Sequence, residues 1–183
     1  MLTKLAKATL LALPLLLAAC STNPTKDEGN YSTISSNQFI EANYKAADSL
    51  MHQISGKLVV DKPIIMATIV NIDALEQTST LGRLVSEQVS TRLAQGGLNM
   101  IEMKLRNSVY LKRNTGELML TREIGEVAQA HNAQAIVVGS YAETSDMVFI
   151  NLKVIQPNTN TVLGGQDYVL AKEAIVRSML QRN

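Results

Sequence analysis

One cysteine stands among the 183 residues of this chain, and it closes an apolar run, LPLLLAACSTN at residues 13–23. A lone thiol has no partner within its own chain, so no internal disulfide staples the fold, and order has to come from the burial of apolar side chains. The run in front of the cysteine fixes where that burial takes place. Residues 8–19 carry no charge, one polar residue, Thr9, and one proline, Pro14. A helix needs about 20 apolar residues to cross a bilayer, whereas the core of a secretory signal takes about 7–15. The run is therefore too short to span and the right length for a signal. Lys4 and Lys7 precede it without an acidic neighbour, as the positive flank of such a signal does.

The last residues of the run, Leu17, Ala18 and Ala19, place small side chains directly before Cys20. This tetrapeptide resembles the bacterial lipobox, which implies removal of residues 1–19 and covalent acylation of Cys20. Each methylene buried in a bilayer contributes about 0.8 kcal/mol, so several acyl chains on one residue make a lasting anchor. In the lipoproteins it resembles, the next residue directs sorting, and Ser21 is not the aspartate that retains a lipoprotein in the inner membrane. The expected location is the outer membrane, with the domain facing the periplasm. Residues 20–37, rich in Ser, Thr, Asn, Pro and Gly, read as the lipidated amino terminus and a flexible tether. Its reach is a few tens of Å at about 3.3–3.6 Å per residue.

Residues 38–183 read as one domain. Phe39, Ile40, Asn43 or Tyr44, Ala47, Leu50, Met51 and Ile54 recur at helical spacing, with Gly56 as a stop. KPIIMATIVN, starting at Lys62, is a continuous β-branched run of the kind that forms a strand covered on both faces. Thr80 is the expected N-cap of a second helix, in which Leu81, Leu84, Val85, Val89 and Leu93 share a face and Gly96-Gly97 ends it. A short strand over LNMIEMK, a third helix near Thr121 and a buried strand over AQAIVVGSYAE follow. Two more strands joined by the turn at residues 157–160 and a short closing helix complete the chain. The order α-β-α-β-α-β-β-β predicts an α+β domain, a compact two-layer sandwich of helices packed on a mixed sheet.

The chemical inventory is thin. The two histidines, His52 and His131, lie far apart without companion ligands, so no metal site is expected. No G-x-S-x-G nucleophile elbow and no phosphate-binding glycine loop occur. Glu123 and Glu126, three residues apart, read as an exposed acidic face of the third helix rather than a general acid and base. Gly164-Gly165 opens no helix and reads as a bulge or turn. Loss of Lys4 and Lys7 leaves 15 basic against 16 acidic side chains, a mature net charge of −1, which gives no electrostatic case for binding nucleic acid. Tryptophan is absent and there are two phenylalanines, which removes the usual aromatic platforms for sugars and single strands. The expectation is a protein that is not an enzyme and holds no cofactor beyond its lipid. The polar loop of residues 111–117 reads first as a solvated turn before a helix. Its functional reading is a partner-binding loop, with Lys112, Arg113, Asn114 and Glu117 as the contacts.

Together the lipobox, ANYKAADSLMHQI, PIIMATIVNIDALEQTSTLGRLVSEQVSTRL, KLRNSVYLKRNTGELMLTREI and HNAQAIVVGSY resemble the FlgO family, over roughly residues 42–170. What this resemblance implies is a lipoprotein of the flagellar system. Such a protein would be a structural or assembly subunit of an accessory ring of the basal body, supporting flagellar stability and motility. Its implied partners are basal-body and ring proteins and further copies of itself, and the membrane through its acyl chains. The alternative is a periplasmic lipoprotein regulator that docks on another envelope protein or a cell-wall enzyme, and a third reading is a carrier of a small ligand.

Overall fold

The computed structural model describes residues 38–75, 78–102 and 122–180. The chain enters as helix α1 (Gln38–Ile54), which buries Phe39, Asn43, Ala46, Ala47, Leu50 and Ile54 along one stripe. Glu41 in its first turn and His52 in its last match the sign of the helix dipole at each end. Gly56, at φ 75°, then turns the chain in the left-handed region.

The apolar run expected as one strand is two, β1 (Ile64–Met66) and β2 (Val70–Asn71). Helix α2 (Thr80–Gln95) causes the break. The Ile69 N–H donates to Ser86 Oγ at 2.9 Å instead of to a strand, and the Ile69 carbonyl accepts from Thr78 Oγ1 at 3.2 Å. Gly82 lets the helix come this close, since a Cβ there would collide with the Ile69 carbonyl oxygen. The N-cap of α2 is Ser79 rather than Thr80: its hydroxyl accepts from the Gly82 N–H at 3.1 Å, which satisfies one free donor of the first turn. The expected face of α2 is the buried one, with Leu81, Val85, Val89 and Leu93 in the core.

Strand β3 (Met100–Glu102), helix α3 (Arg122–Ala130), strands β4 (Ala135–Glu143), β5 (Met147–Gln156) and β6 (Thr161–Ala171) and helix α4 (Ala174–Leu180) follow. The sheet is mixed, in the order β3-β1-β4-β5-β6, with β2 in line with β1 on the same edge of β4. β1 and β2 run parallel to β4, and β3 parallel to β1, while β4, β5 and β6 form an antiparallel meander. Leu163 is the extra residue of a bulge opposite Val154 and Ile155, next to the glycine pair read as a bulge or turn.

One face of the sheet carries the main core, where Val137, Tyr141, Val148, Ile150, Leu152 and Val154 meet α1, α2 and α4. On the opposite face, among the described residues, Ala128 and Val127 of α3 pack against one end, on Ile65, Val70, Ile136, Val138 and Ile155. The fold is thus the expected one, helices packed on a mixed sheet of six strands.

Candidate functional site

The remainder of that second face is the most unusual surface of the domain. Alternation along β5 sends Val148, Ile150, Leu152 and Val154 into the core and Met147, Phe149, Asn151 and Lys153 the other way. Phe149 is opposite Ala142 on β4 and opposite Val169 on β6. Ile72, just past β2, continues the row, held by its N–H on the Tyr141 carbonyl at 2.9 Å. Ile72, Met147, Phe149 and Val169 are each 44–48 % exposed, so an apolar row crosses four strands with no described residue over it. Beside it the sheet turns polar, with Asn151 donating to Asp167 Oδ1 at 2.6 Å across the strands and Lys153 next to them. An apolar strip with a polar border is the composition of a protein-binding patch.

A second apolar exposure lies at the end of the sheet where α1 finishes. Val59 and Val60 are 57 % and 70 % exposed, yet their loop is held firmly. Gln134 accepts from the Val59 N–H at 2.8 Å and donates to the carbonyls of Val59, at 2.6 Å, and Lys62, at 2.8 Å. Lys57 Nζ donates to the Leu163 carbonyl at 2.8 Å, which brings the exposed Val162 beside the same tip. At this end the side-chain amide of Gln53 also satisfies both backbone groups of Gly165 on the outer edge of β6, at 2.9 and 3.0 Å. The first turn of α1 is at the other end, about 25 Å away for a 17-residue helix. The domain is therefore polar in layout, with one end next to its amino-terminal connection and an apolar tip at the other.

Between these surfaces, polar side chains tie the helices to the sheet and to one another. Asn43, fully buried, accepts from the Tyr168 hydroxyl at 2.5 Å and donates to Gln88 Oε1 at 2.6 Å, tying α1 to β6 and α2. Burial pushes the Tyr168 phenol far up, so it remains a neutral donor. Arg92 forks onto both Asp48 oxygens, at 2.7 and 3.0 Å, with Tyr44 beneath its guanidinium. These contacts fix helices to one another, and none opens into a cleft.

His52 and His131 are both exposed and on different elements. Among the described residues no group of three or more His, Cys, Asp and Glu side chains could hold a metal, and no helix is long and apolar enough to cross a membrane. Cys20, Lys112, Arg113, Asn114 and Glu117 lie outside the described residues. The sequence reading pointed to the loop of residues 111–117 and passed over the outer face of β5. The signal was there: Asn151 and Lys153 mark an exposed parity on which Met147 and Phe149 also fall.

Fold and surface together define an α+β domain with exposed apolar faces as its prominent features. The chain belongs to the FlgO family, whose model matches residues 44–175. No curated protein matches it in sequence. Among solved structures it is similar to the LpoB C-terminal domain from Salmonella enterica, with a TM-score of 0.52 and 12 % identity, covering 73 % of this chain and 98 % of that one. The LpoB C-terminal domain from Escherichia coli is similar over the same shares, at 8 % identity and a TM-score of 0.49. A PelC dodecamer from Paraburkholderia phytofirmans gives 12 % identity and a TM-score of 0.45, over 67 % of this chain and 83 % of that one. At these identities the likeness concerns the fold.

Proposed function

We propose that this protein is an outer-membrane lipoprotein, anchored by acyl chains on Cys20 and facing the periplasm, that serves as a non-catalytic subunit of an accessory ring of the flagellar basal body. Membership of the FlgO family over residues 44–175 carries this reading. The lipobox-like segment ending at Cys20 supports the anchor, and the apolar row through Phe149 supplies a surface for protein contacts. Lys112, Arg113, Asn114 and Glu117 are proposed as further contacts to ring components. Repetition around a ring and confinement to a membrane both raise effective concentration, so modest contacts between copies suffice.

The reading is tested by chromosomal Cys20→Ser. The variant is expected to leave the outer-membrane fraction and to lower motility to the level of the deletion strain, with normal cell shape and growth. A correctly processed, membrane-bound variant would refute the anchor. Normal motility in the deletion strain together with sensitivity to wall stress would overturn the ring reading in favour of a docking regulator of an envelope enzyme.

A further inference from the structure

The two exposed apolar surfaces differ in form, in position and in the charges beside them. The tip is a pair of adjacent side chains, Val59 and Val60, on a loop that Gln134 holds with three hydrogen bonds. A loop held in this way meets a partner without first having to be ordered. Lys57 and Lys62 flank the pair with Asp61 between them, which leaves a net of one positive charge. The row through Ile72, Phe149 and Val169 lies on the sheet itself, and its neighbours are acidic. Asp73 follows Ile72, Asp146 precedes Met147, and Asp167 shares the face of β6 on which Val169 lies. Lys172 at this end is taken up by Glu143, at 3.1 Å. Strand β4 begins beside the tip and reaches the row at Ala142, about 23 Å along the sheet from Ala135. One domain therefore cannot bring its own tip and row together, but two copies can.

We propose that the tip of one copy docks on the row of the next, with Val59 and Val60 against Phe149 and Val169 and the lysines beside the acidic border. Charge selects this arrangement over the symmetric ones. Row against row would put two acidic borders into one interface, and tip against tip would oppose the lysines of two loops. Tip on row sets opposite signs against each other. Each copy offers one tip and one row, so the contact repeats from head to tail. It closes into a ring or continues as a filament according to the rotation between copies. The inference rests on the ring reading for its setting and deepens it by naming the two faces that meet. A contact this small acts where anchorage concentrates the copies.

Sedimentation velocity of the mature chain, residues 20–183 carrying Cys20→Ser, tests the contact up to about 1 mM, the effective concentration that a short tether gives. Val60→Asp disables the tip and Phe149→Ser the row, and the urea midpoint of each reports that it remains folded. The parent chain is expected to form dimers and larger species as its concentration rises, more weakly at high salt. Each variant alone should associate at least about tenfold more weakly. An equal mixture of the two should recover the dimer and stop there, because Phe149→Ser keeps its tip and Val60→Asp keeps its row. A parent chain that stays monomeric throughout would overturn the proposal, and so would variants that associate as the parent does. A mixture no more associated than its components would also overturn it, assigning the patches to a symmetric contact. Recovery in the mixture together with normal motility of the deletion strain would uphold the contact and remove only its flagellar setting.

Discussion

At the scale of single residues the domain depends on a few polar and small side chains that could not be replaced by generic apolar ones. Asn43 is the clearest: it occupies an apolar position of the α1 period and is fully buried, so it needs the partners that β6 and α2 provide. Tyr168→Phe leaves its oxygen without that donor and should destabilise the domain by about 1–3 kcal/mol, read from the urea midpoint. Adding Asn43→Leu should recover part of the loss by removing the carbonyl left without a donor, less the bond that the half-buried Gln88 then gives up. An unchanged midpoint for Tyr168→Phe would show that water substitutes for the phenol. Gly82→Ala is expected to cost about 1–3 kcal/mol by forcing α2 off the Ile69 carbonyl. A thermal melt indistinguishable from the parent would contradict that contact. The sequence showed the polar residue in the helical stripe of α1 but not its partners, because Gln88 and Tyr168 are 45 and 125 residues away.

Element by element, helices were more legible than strand edges. The stripes of α1 and α2 are written at 3.6-residue spacing, and the glycines at 56 and 97 both adopt positive φ where the chain turns. The break between β1 and β2 was not legible, because it is made by the Ser86 hydroxyl on a neighbouring helix competing for the Ile69 backbone. The outer face of β5 was missed for a related reason: the apolar run MVFI does not by itself show its two faces, and only the pairing with β4 and β6 places Phe149 in a row with Ala142 and Val169. Phe149→Ser tests this face. Being half exposed, the position should change stability by no more than about 0.5–1 kcal/mol, while motility falls at normal protein levels. Full motility in that strain would remove the row from the docking surfaces. Charge reversal of Lys112 and Arg113 to glutamate should act in the same way on motility, without lowering the amount of protein in the membrane, and a wild-type swimming rate would return the loop to a solvated turn.

For the whole molecule, the features that matter are layout and attachment. The apolar tip at Val59 and Val60 and the start of α1 at Gln38 lie at opposite ends of that helix, so on the proposed reading a domain anchored ahead of Gln38 would present the tip away from its anchor. On the proposed reading the mature charge is near zero, so little long-range steering would draw the protein to partners, and anchorage and repetition would do that work instead. The central claim is that many copies stand in a ring around the flagellar basal body. The direct measurement is electron cryotomography of motors in wild-type and deletion strains, paired with mass spectrometry of purified basal bodies. The account predicts the protein at ring stoichiometry and a periplasmic ring density that disappears with the gene. An unchanged ring in the deletion strain, with the protein abundant in the outer membrane but absent from clean basal bodies, would contradict it.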